Sequence, residues 1–593
     1  MGLFPSLRKY RTIIFQHLDL LVTFLGLTSI AVCLLRYGFN LSSEVEGWVR
    51  IISPLILVIF TIQEMVRIPY TDQVVAHLKD RWFEISVALV GLFYFTDSEI
   101  VRDYFRVFHP EVELIDVVLI YLAISHFFVL LKTITQILRR LRYLESLSLG
   151  PTQIFILSFL VPIGIGTLLL KLPKATVESI SWVDALFTAT SSICVTGLVV
   201  LPTDIAFTSL GKVIICGLFQ IGGLGMMTLT VFFSSFLSGH LGVGEKTMLS
   251  NWLSVKQLGR VSELLTHIFV FTFFIEMIGA IGLYLSGGHS FAAFKPFVFY
   301  EAVFHSISAF CNAGFSLSPS ELTQAGVVSN KGYPSIIMIL IILGGLGFPV
   351  ISNFWRWIQF RLGRLREGCF SFSVHTKLVV LSTTILLVFG TFAIYLLERN
   401  SSFADLSTGE TFFHSLFWSV TSRTAGFNIW PTEALSSSTV FVLIGLMWIG
   451  ASPSSTGGGV KNVTVLVAFM EVISQIKGKR SVTIFGREIS QDSIRRAFTM
   501  IFLSMIMLAS SVFIILFLEP HINRVDLVFE VVSAWGTVGL SRGITADLQI
   551  HTKFFISAIM IIGRVGIFSI LISIVRKGRS AKYELPKESI IIH

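Results

Sequence analysis

The stretch Ser191-Ser192-Ile193-Cys194-Val195-Thr196-Gly197-Leu198 constrains this chain most, because looser copies of it return three times, each between two long apolar runs. The copies are Ser308-Ala309-Phe310-Cys311-Asn312-Ala313-Gly314-Phe315, Thr421-Ser422-Arg423-Thr424-Ala425-Gly426-Phe427 and Ser533-Ala534-Trp535-Gly536-Thr537-Val538-Gly539-Leu540. Their central glycines are separated by 117, 112 and 113 residues, a period regular enough to define an internal repeat. Thirteen residues upstream of the glycines stand Asp184, Glu301, Phe413 and Asp526, and ten upstream stand Phe187, Phe304, Leu416 and Phe529. Each copy therefore reads as an apolar helix of about ten residues, half of the roughly twenty that cross a bilayer, so the chain goes in and turns back.

Backbone that turns at membrane depth is tolerated only where it is buried in protein or lines a water-filled path. Glycine fits such a turn because it adopts positive φ without steric cost and leaves the carbonyl unobstructed. Four such loops around one axis would present a ring of carbonyls that replaces the hydration shell of a monovalent cation. The candidate filter residues are Val195, Thr196 and Gly197; Asn312, Ala313 and Gly314; Thr424, Ala425 and Gly426; and Thr537, Val538 and Gly539. Taken singly, each copy is equally an ordinary turn between transmembrane helices; the matched spacing of all four favours the ring. The residues that follow the glycines, Leu198, Phe315, Phe427 and Leu540, differ, which predicts less uniform carbonyl layers than in a true tetramer.

Composition agrees with a multi-pass membrane protein. Of 593 residues 53% are hydrophobic and only 14% charged, and the mean hydropathy is +0.79, which leaves no stretch for a sizeable soluble domain. The net charge of +9 sits in short loops between apolar runs, where it reports membrane orientation rather than nucleic-acid binding. Five cysteines (Cys33, Cys194, Cys216, Cys311 and Cys369) show neither CxxC nor metal-ligand spacing. The first apolar run lacks a small-residue cleavage site and reads as a retained helix.

The expected fold is all-α and polytopic, with four fused units of helix, re-entrant pore loop and helix around one pore, preceded by about four additional transmembrane helices. Residues 1–150 form the leading bundle, with helices near 17–36, 48–68, 82–98 and 115–138. Its charges, among them Lys132 and Arg139, resemble a voltage sensor only faintly, since a sensing helix carries a basic residue at every third position and these two are seven apart. Residues 151–593 form the pore domain, with repeats at about 151–262, 263–373, 374–492 and 493–593. Outer helices are expected near 152–172, 263–286, 374–397 and 494–518, and inner helices near 209–238, 334–360, 438–475 and 553–575. Basic clusters at Arg139–Arg142, Lys246–Arg260, Arg356–Arg366, Lys477–Arg487 and Arg576–Arg579 fall between or after the repeats, which places those linkers and both termini in the cytoplasm.

Two further features lie in the inner helices. Gly450-Ala451-Ser452-Pro453-Ser454-Ser455-Thr456-Gly457-Gly458-Gly459-Val460-Lys461 interrupts an apolar run, and three glycines with a proline cannot continue a helix. Ser454, Ser455, Thr456, Gly457, Gly458, Gly459 and Lys461 are therefore candidates for a flexible gate below the filter; the competing readings are a structural kink and a phosphate-cradling loop, though Gly-Lys-Ser/Thr is missing. Arg564 is alone at membrane depth, at a cost of roughly 2.5–3.5 kcal/mol, so it faces either the pore, as an electrostatic barrier, or a carboxylate in a buried ion pair. Glu276 is equally isolated and reads as structural, and the Gly-Gly-Leu-Gly runs at Gly222–Gly225 and Gly344–Gly347 read as close-packing surfaces.

These motifs resemble the Trk/Ktr/HKT superfamily of potassium transporters over roughly residues 151–593. The resemblance is carried by Cys194-Val195-Thr196-Gly197-Leu198, Phe219-Gln220-Ile221-Gly222-Gly223-Leu224-Gly225, Ser308 to Phe315, Arg423 to Phe427, Ser452 to Gly458 and Gly563-Arg564. It implies potassium uptake across the cytoplasmic (inner) membrane, a homodimer with one pore per subunit, the potassium ion as the only ligand with no organic cofactor, and an intramembrane gate near Arg564. In that family glycine in all four loops goes with potassium and serine in the first loop with sodium. In bacterial members a separate cytoplasmic ring of nucleotide-binding subunits controls the gate; this chain has no dinucleotide fingerprint, so such a ring would be a partner. Against this stand a voltage- or ligand-regulated cation channel controlled by residues 1–150, and a membrane enzyme acting on a lipid phosphate, for which no paired acidic or metal constellation exists near Ser454.

Overall fold

The computed structural model describes residues 11–67, 151–224, 261–287, 295–317, 331–363, 370–566 and 570–571. The expected helices at 82–98 and 115–138, the later parts of the first and last expected inner helices, Cys369 and most of the basic linker residues lie outside these residues.

The first two helices, α1 (Arg11–Gly38) and α2 (Ser43–Arg67), form a hairpin closed by Leu25, Val32, Val49, Ile56 and Phe60. It docks on the pore domain at its turn: the Lys174 backbone N–H donates to the Gly38 carbonyl at 3.0 Å and its ammonium donates to the Arg36 carbonyl at 2.8 Å.

From Pro151 the elements follow one order four times. The outer helices are α3 (Pro151–Leu170), α6 (Val261–Ser286), α10 (Val374–Glu398) and α14 (Gln491–Leu518). At 20, 26, 25 and 28 residues they have the length to cross a bilayer. The pore helices are α4 (Trp182–Ile193), α7 (Pro296–Cys311), α11 (Thr408–Thr421) and α15 (Arg524–Gly536). They run 12 to 16 residues rather than ten, and three have side-chain caps: Ser181 accepts from the Asp184 N–H, Asn523 accepts from the Val525 N–H, and Ser407 and Glu410 form a reciprocal capping box, while α7 starts at Pro296 without one.

The inner helices differ from one another. The first is α5 (Ser209–Gly223); the second, expected to be continuous over 334–360, is instead α8 (Gly332–Leu346) and α9 (Phe348–Arg361), bent by 101°. Its hinge is Gly347 at φ +88°, a conformation that an L side chain resists, and Pro349 just beyond it cannot donate back across the bend. The third splits into α12 (Ser437–Trp448) and α13 (Asn462–Ile476) around the glycine-rich stretch, and the fourth is α16 (Ile550–Val565). A small hairpin, β1 (Thr483–Ile484) with β2 (Arg487–Glu488), sits in the third linker, which the basic residues alone mark only as a loop. Its turn has Phe485 at φ 49° and Gly486 at φ 74°, the primed geometry of tight hairpins, and Val482 and Ile484 are buried against Leu378, Val467 and Ile494.

The core closes on itself. One hydrophobic cluster joins the first unit to Phe304, Ala313 and Phe315 of the second pore loop, and the next joins the second unit to Phe417, Ala425 and Phe427. A third joins the third unit to Phe529, Val538 and Leu540, and the last joins the fourth unit back to Phe187, Cys194 and Leu198. An ion pair of Lys553 with Asp184 at 3.1 Å seals the same seam between last and first units. Each inner helix thus packs on the pore helix of the next unit, so the four loops meet at one axis.

Candidate ion pathway

Each pore helix ends in a loop of the same backbone shape. Val195, Asn312, Thr424 and Thr537 take positive φ of 56°, 60°, 72° and 50°, and two residues later Gly197, Gly314, Gly426 and Gly539 take 89°, 71°, 77° and 92°. The residue between them keeps negative φ, so successive peptide planes alternate and their carbonyls are turned toward one side. Left-handed conformation in a non-glycine residue costs roughly 1–2 kcal/mol. The turns that offset it bind the Thr196, Ala313 and Val538 N–H groups to the Ser191, Ser308 and Ser533 carbonyls at 2.8, 2.7 and 2.8 Å.

A hydroxyl at the start of each loop completes the clasp. Ser191 Oγ accepts from the Gly197 N–H and Ser533 Oγ from the Gly539 N–H, both at 3.1 Å. Ser308 Oγ donates to the Phe315 carbonyl at 2.8 Å, and Thr421 Oγ1 to the Phe427 carbonyl at 2.5 Å. Sequence reasoning assigned these four residues no role, although their recurrence as the first letter of every copy was the available signal.

The four glycines form a closed ring. A Cβ added to Gly197 would fall 3.1 Å from the Gly314 Cα, one on Gly314 3.1 Å from the Gly426 Cα, one on Gly426 3.1 Å from the Gly539 Cα, and one on Gly539 3.1 Å from the Gly197 Cα. Side chains are excluded from this circle. Among the described residues no backbone or side-chain donor meets any carbonyl of Val195–Gly197, Asn312–Gly314, Thr424–Gly426 or Thr537–Gly539. These twelve residues are buried or nearly so, and buried carbonyls without partners are rare because each forfeits a hydrogen bond. The pore helices also direct their C-terminal, negative dipole ends at the same ring.

The break in the third inner helix lies against the ring of loops. The Gly458 N–H donates to Thr537 Oγ1 at 3.1 Å, and a Cβ on Gly457 would collide with the Thr424 side chain. On its other side the loop binds the second inner helix: the Ser452 and Thr456 N–H groups donate to the Gly345 and Gly344 carbonyls at 3.2 and 3.4 Å, and the Phe348 N–H donates to the Ser454 carbonyl at 3.3 Å. Ser454 and Gly459 take positive φ of 60° and 69°; Ser455 Oγ donates to the Ser452 carbonyl at 2.7 Å; and the Lys461 ammonium folds back on the Gly457 carbonyl at 2.6 Å.

Arg564 is buried, 3% exposed, and its partners are carbonyls. Its Nη2 donates to the Gly222 carbonyl at 2.6 Å and its Nη1 to the Thr456 carbonyl. No carboxylate pairs with it among the described residues, so the buried-ion-pair alternative gives way to a guanidinium that ties the first inner helix to the broken loop. The Gly-Gly runs are packing surfaces in fact: a Cβ on Gly222, Gly344 or Gly563 would run into the carbonyl of Ile193, Phe310 or Trp535 at the last turn of a pore helix. Glu276 stands behind the second loop, where it accepts from Gln220 Nε2 at 3.0 Å and Cys311 Sγ at 3.7 Å, with no basic partner among the described residues.

The profile of the family described as TrkH, cation transport protein, matches residues 122–585 of this chain. The Ktr system potassium uptake protein B of Bacillus subtilis is 35% identical over 436 residues, which cover 72% of this chain and 94% of that protein. The potassium/sodium uptake protein NtpJ of Enterococcus hirae is 35% identical over 453 residues, covering 75% and 97%. The crystal structure of the potassium transporter TrkH from Vibrio parahaemolyticus superposes with a TM-score of 0.58 at 16% identity, covering 83% of this chain and 98% of that one, and so shares its fold.

Proposed function

This chain belongs to the TrkH family of cation transport proteins, and from that premise we propose that it takes up potassium through the ring of glycine loops. It is a multi-pass membrane transporter and not an enzyme. The observation that carries the filter reading is the set of twelve loop carbonyls without protein donors around a circle that admits no side chain. A dehydrated monovalent cation on that axis meets oxygen in place of its hydration shell. Glycine in all four loops supports potassium, as do relatives named for potassium uptake. A second reading, in which sodium passes as well, has support in the likeness to the potassium/sodium uptake protein of Enterococcus hirae.

Below the filter, residues Ser454 to Lys461 act as the gate, and Arg564 places its charge beside it as a barrier to resting flow. Residues 151–593 constitute the four-repeat pore domain and residues 1–150 an accessory membrane region; the Bacillus and Enterococcus relatives are covered almost end to end yet align to only about three quarters of this chain, which supports that division. The basic linkers support cytoplasmic termini and filter loops that open outward. Family resemblance is the ground for a homodimer and for a separate nucleotide-binding ring acting on the gate.

The test is growth of a potassium-uptake-deficient bacterium at low potassium, with influx measured in parallel on the purified chain in liposomes. Wild type restores growth, and Gly197→Ser moves influx toward sodium. A chain that inserts in the membrane yet conducts no potassium, even beside a nucleotide-binding ring subunit, overturns the proposal.

A further inference from the structure

Beyond each filter glycine the chain must leave the axis, and there the second and fourth loops share a device that the other two lack. In the second, the Leu317 backbone N–H donates to His305 Nε2 at 3.1 Å, and Ser316 Oγ lies 3.1 Å from the same nitrogen. Nδ1 of His305 is 2.8 Å from the Tyr333 hydroxyl oxygen. A backbone N–H can only donate, so Nε2 presents its lone pair and the ring proton sits on Nδ1, directed at Tyr333. In the fourth, Ser541 Oγ donates to Glu530 at 2.9 Å, the Thr545 hydroxyl donates to its other oxygen, and the two hydroxyls are 3.0 Å apart.

The correspondence is positional. His305 and Glu530 both stand nine residues before the filter glycine, and Ser316 and Ser541 both stand two residues after it. Both side chains are buried, at 2% and 0% exposure. Burying an imidazole and a carboxylate is costly unless their hydrogen bonds are made, so packing alone does not account for two polar groups of different chemistry at one equivalent place. Around the ring Gly314 neighbours Gly197 and Gly426, so the second and fourth loops face each other across the axis.

We infer that His305 and Glu530 are positioning residues that fix the outer ends of the second and fourth filter loops and so set the cation selectivity of the ring; the inference rests on the transport reading above. The outermost carbonyls of these loops belong to Gly314 and Gly539, and their direction is set by where the next two residues are held. Anchored at Ser316 and Ser541, they stay turned to the axis as an opposed pair. Released, they can turn to water, and a ring with two fewer fixed oxygens discriminates less between potassium and sodium.

The experiment measures potassium and sodium influx into liposomes holding the full chain, as wild type and as His305→Ala, His305→Gln, Glu530→Ala and Glu530→Gln. Glutamine offers an amide oxygen to the Leu317 N–H at one site and bonds both hydroxyls at the other. The alanine variants are expected to lower the potassium-to-sodium ratio about tenfold, the factor that one lost buried hydrogen bond is worth, and to raise the half-saturating potassium concentration, while the glutamine variants keep both near wild type. Where an alanine variant does not fold, Ser316→Ala or Ser541→Ala deletes the partner hydroxyl from the loop side and shows the same fall. Alanine variants that transport with the wild-type ratio and half-saturation, whatever their maximal rate, overturn the inference. Wild type that moves neither ion overturns the transport reading, and this inference with it.

Discussion

Removing Arg564 should open the pathway. The guanidinium makes two charge-assisted hydrogen bonds, one to Gly222 of the first inner helix and one to Thr456 of the broken loop, and under the proposed gate this is the closed arrangement. The Gly222 bond joins two inner helices; if the loop is the gate, as proposed, the Gly222 bond can persist while the Thr456 bond breaks as the loop leaves. A hydrogen bond to a charged group contributes about 1.5–3 kcal/mol, so deleting it shifts the loop equilibrium toward the displaced state by about 10- to 150-fold. The same deletion removes a positive charge from the path. Both effects have one sign: Arg564→Ala in liposomes should raise potassium influx under a fixed inside-negative potential, with the ion ratio unchanged because the filter is untouched. Arg564→Lys should fall between, since an ammonium keeps the charge but lacks the planar fork that spans both carbonyls. Influx that stays at or below the wild-type level in a folded, monodisperse Arg564→Ala protein would refute the assignment of Arg564 to the closed state.

Two further perturbations test the ring and its supports. Gly539→Ala forces a methyl into a position at φ +92° that already lies against Gly197 and the Thr196 carbonyl, so membrane insertion should be normal while potassium influx falls below a tenth of wild type, as isotope uptake would record. Ser407→Ala breaks the capping box that starts the third pore helix and should lower the thermal midpoint in detergent. The Ser407 hydroxyl and backbone N–H hold the Glu410 carboxyl below its usual range, so this contribution is complete above the unfolded pKa of about 4.3 and is lost as pH falls through the folded value. The midpoint difference between wild type and variant should therefore shrink on acidification from pH 5 to about 3, and a constant difference would count against the box.

The parts of the fold legible from residues were those set by local chemistry. Val374–Glu398 is apolar over its long middle stretch and begins at a Ser373 cap, so its expected span of 374–397 differs by one residue from the helix found. The interruption at Gly450–Lys461 was legible because a proline and three consecutive glycines so close together strongly disfavour a helix. The bend at Gly347 was not, although Gly347 and Pro349 stand in the run: Pro162 sits inside a helix, so such residues do not by themselves set a bend, and here the Pro453 carbonyl of another unit lies 2.7 Å from where a Cβ on Gly347 would sit. The hairpin at Thr483–Glu488 escaped notice for a related reason, since a four-residue ladder has no period to read and is held by Leu378 and Val467, which come from other helices.

What the sequence determined by itself was the alternation of long and short apolar segments, the recurrence of glycine at the end of each short one, and one of the two places where an inner helix breaks. These follow from backbone sterics and the thickness of a bilayer, which act on each segment alone. What only the tertiary structure decided was which carbonyls face which: that Gly539 returns to Gly197, that Thr537 and Thr424 touch the broken loop, and that Arg564 answers to the Gly222 and Thr456 carbonyls. Those contacts join residues of different units, some of them more than three hundred positions apart. They exist because the hydrophobic cluster of each unit takes in residues of the next pore helix and loop until the last unit meets the first, and that closure is a property of the whole ring.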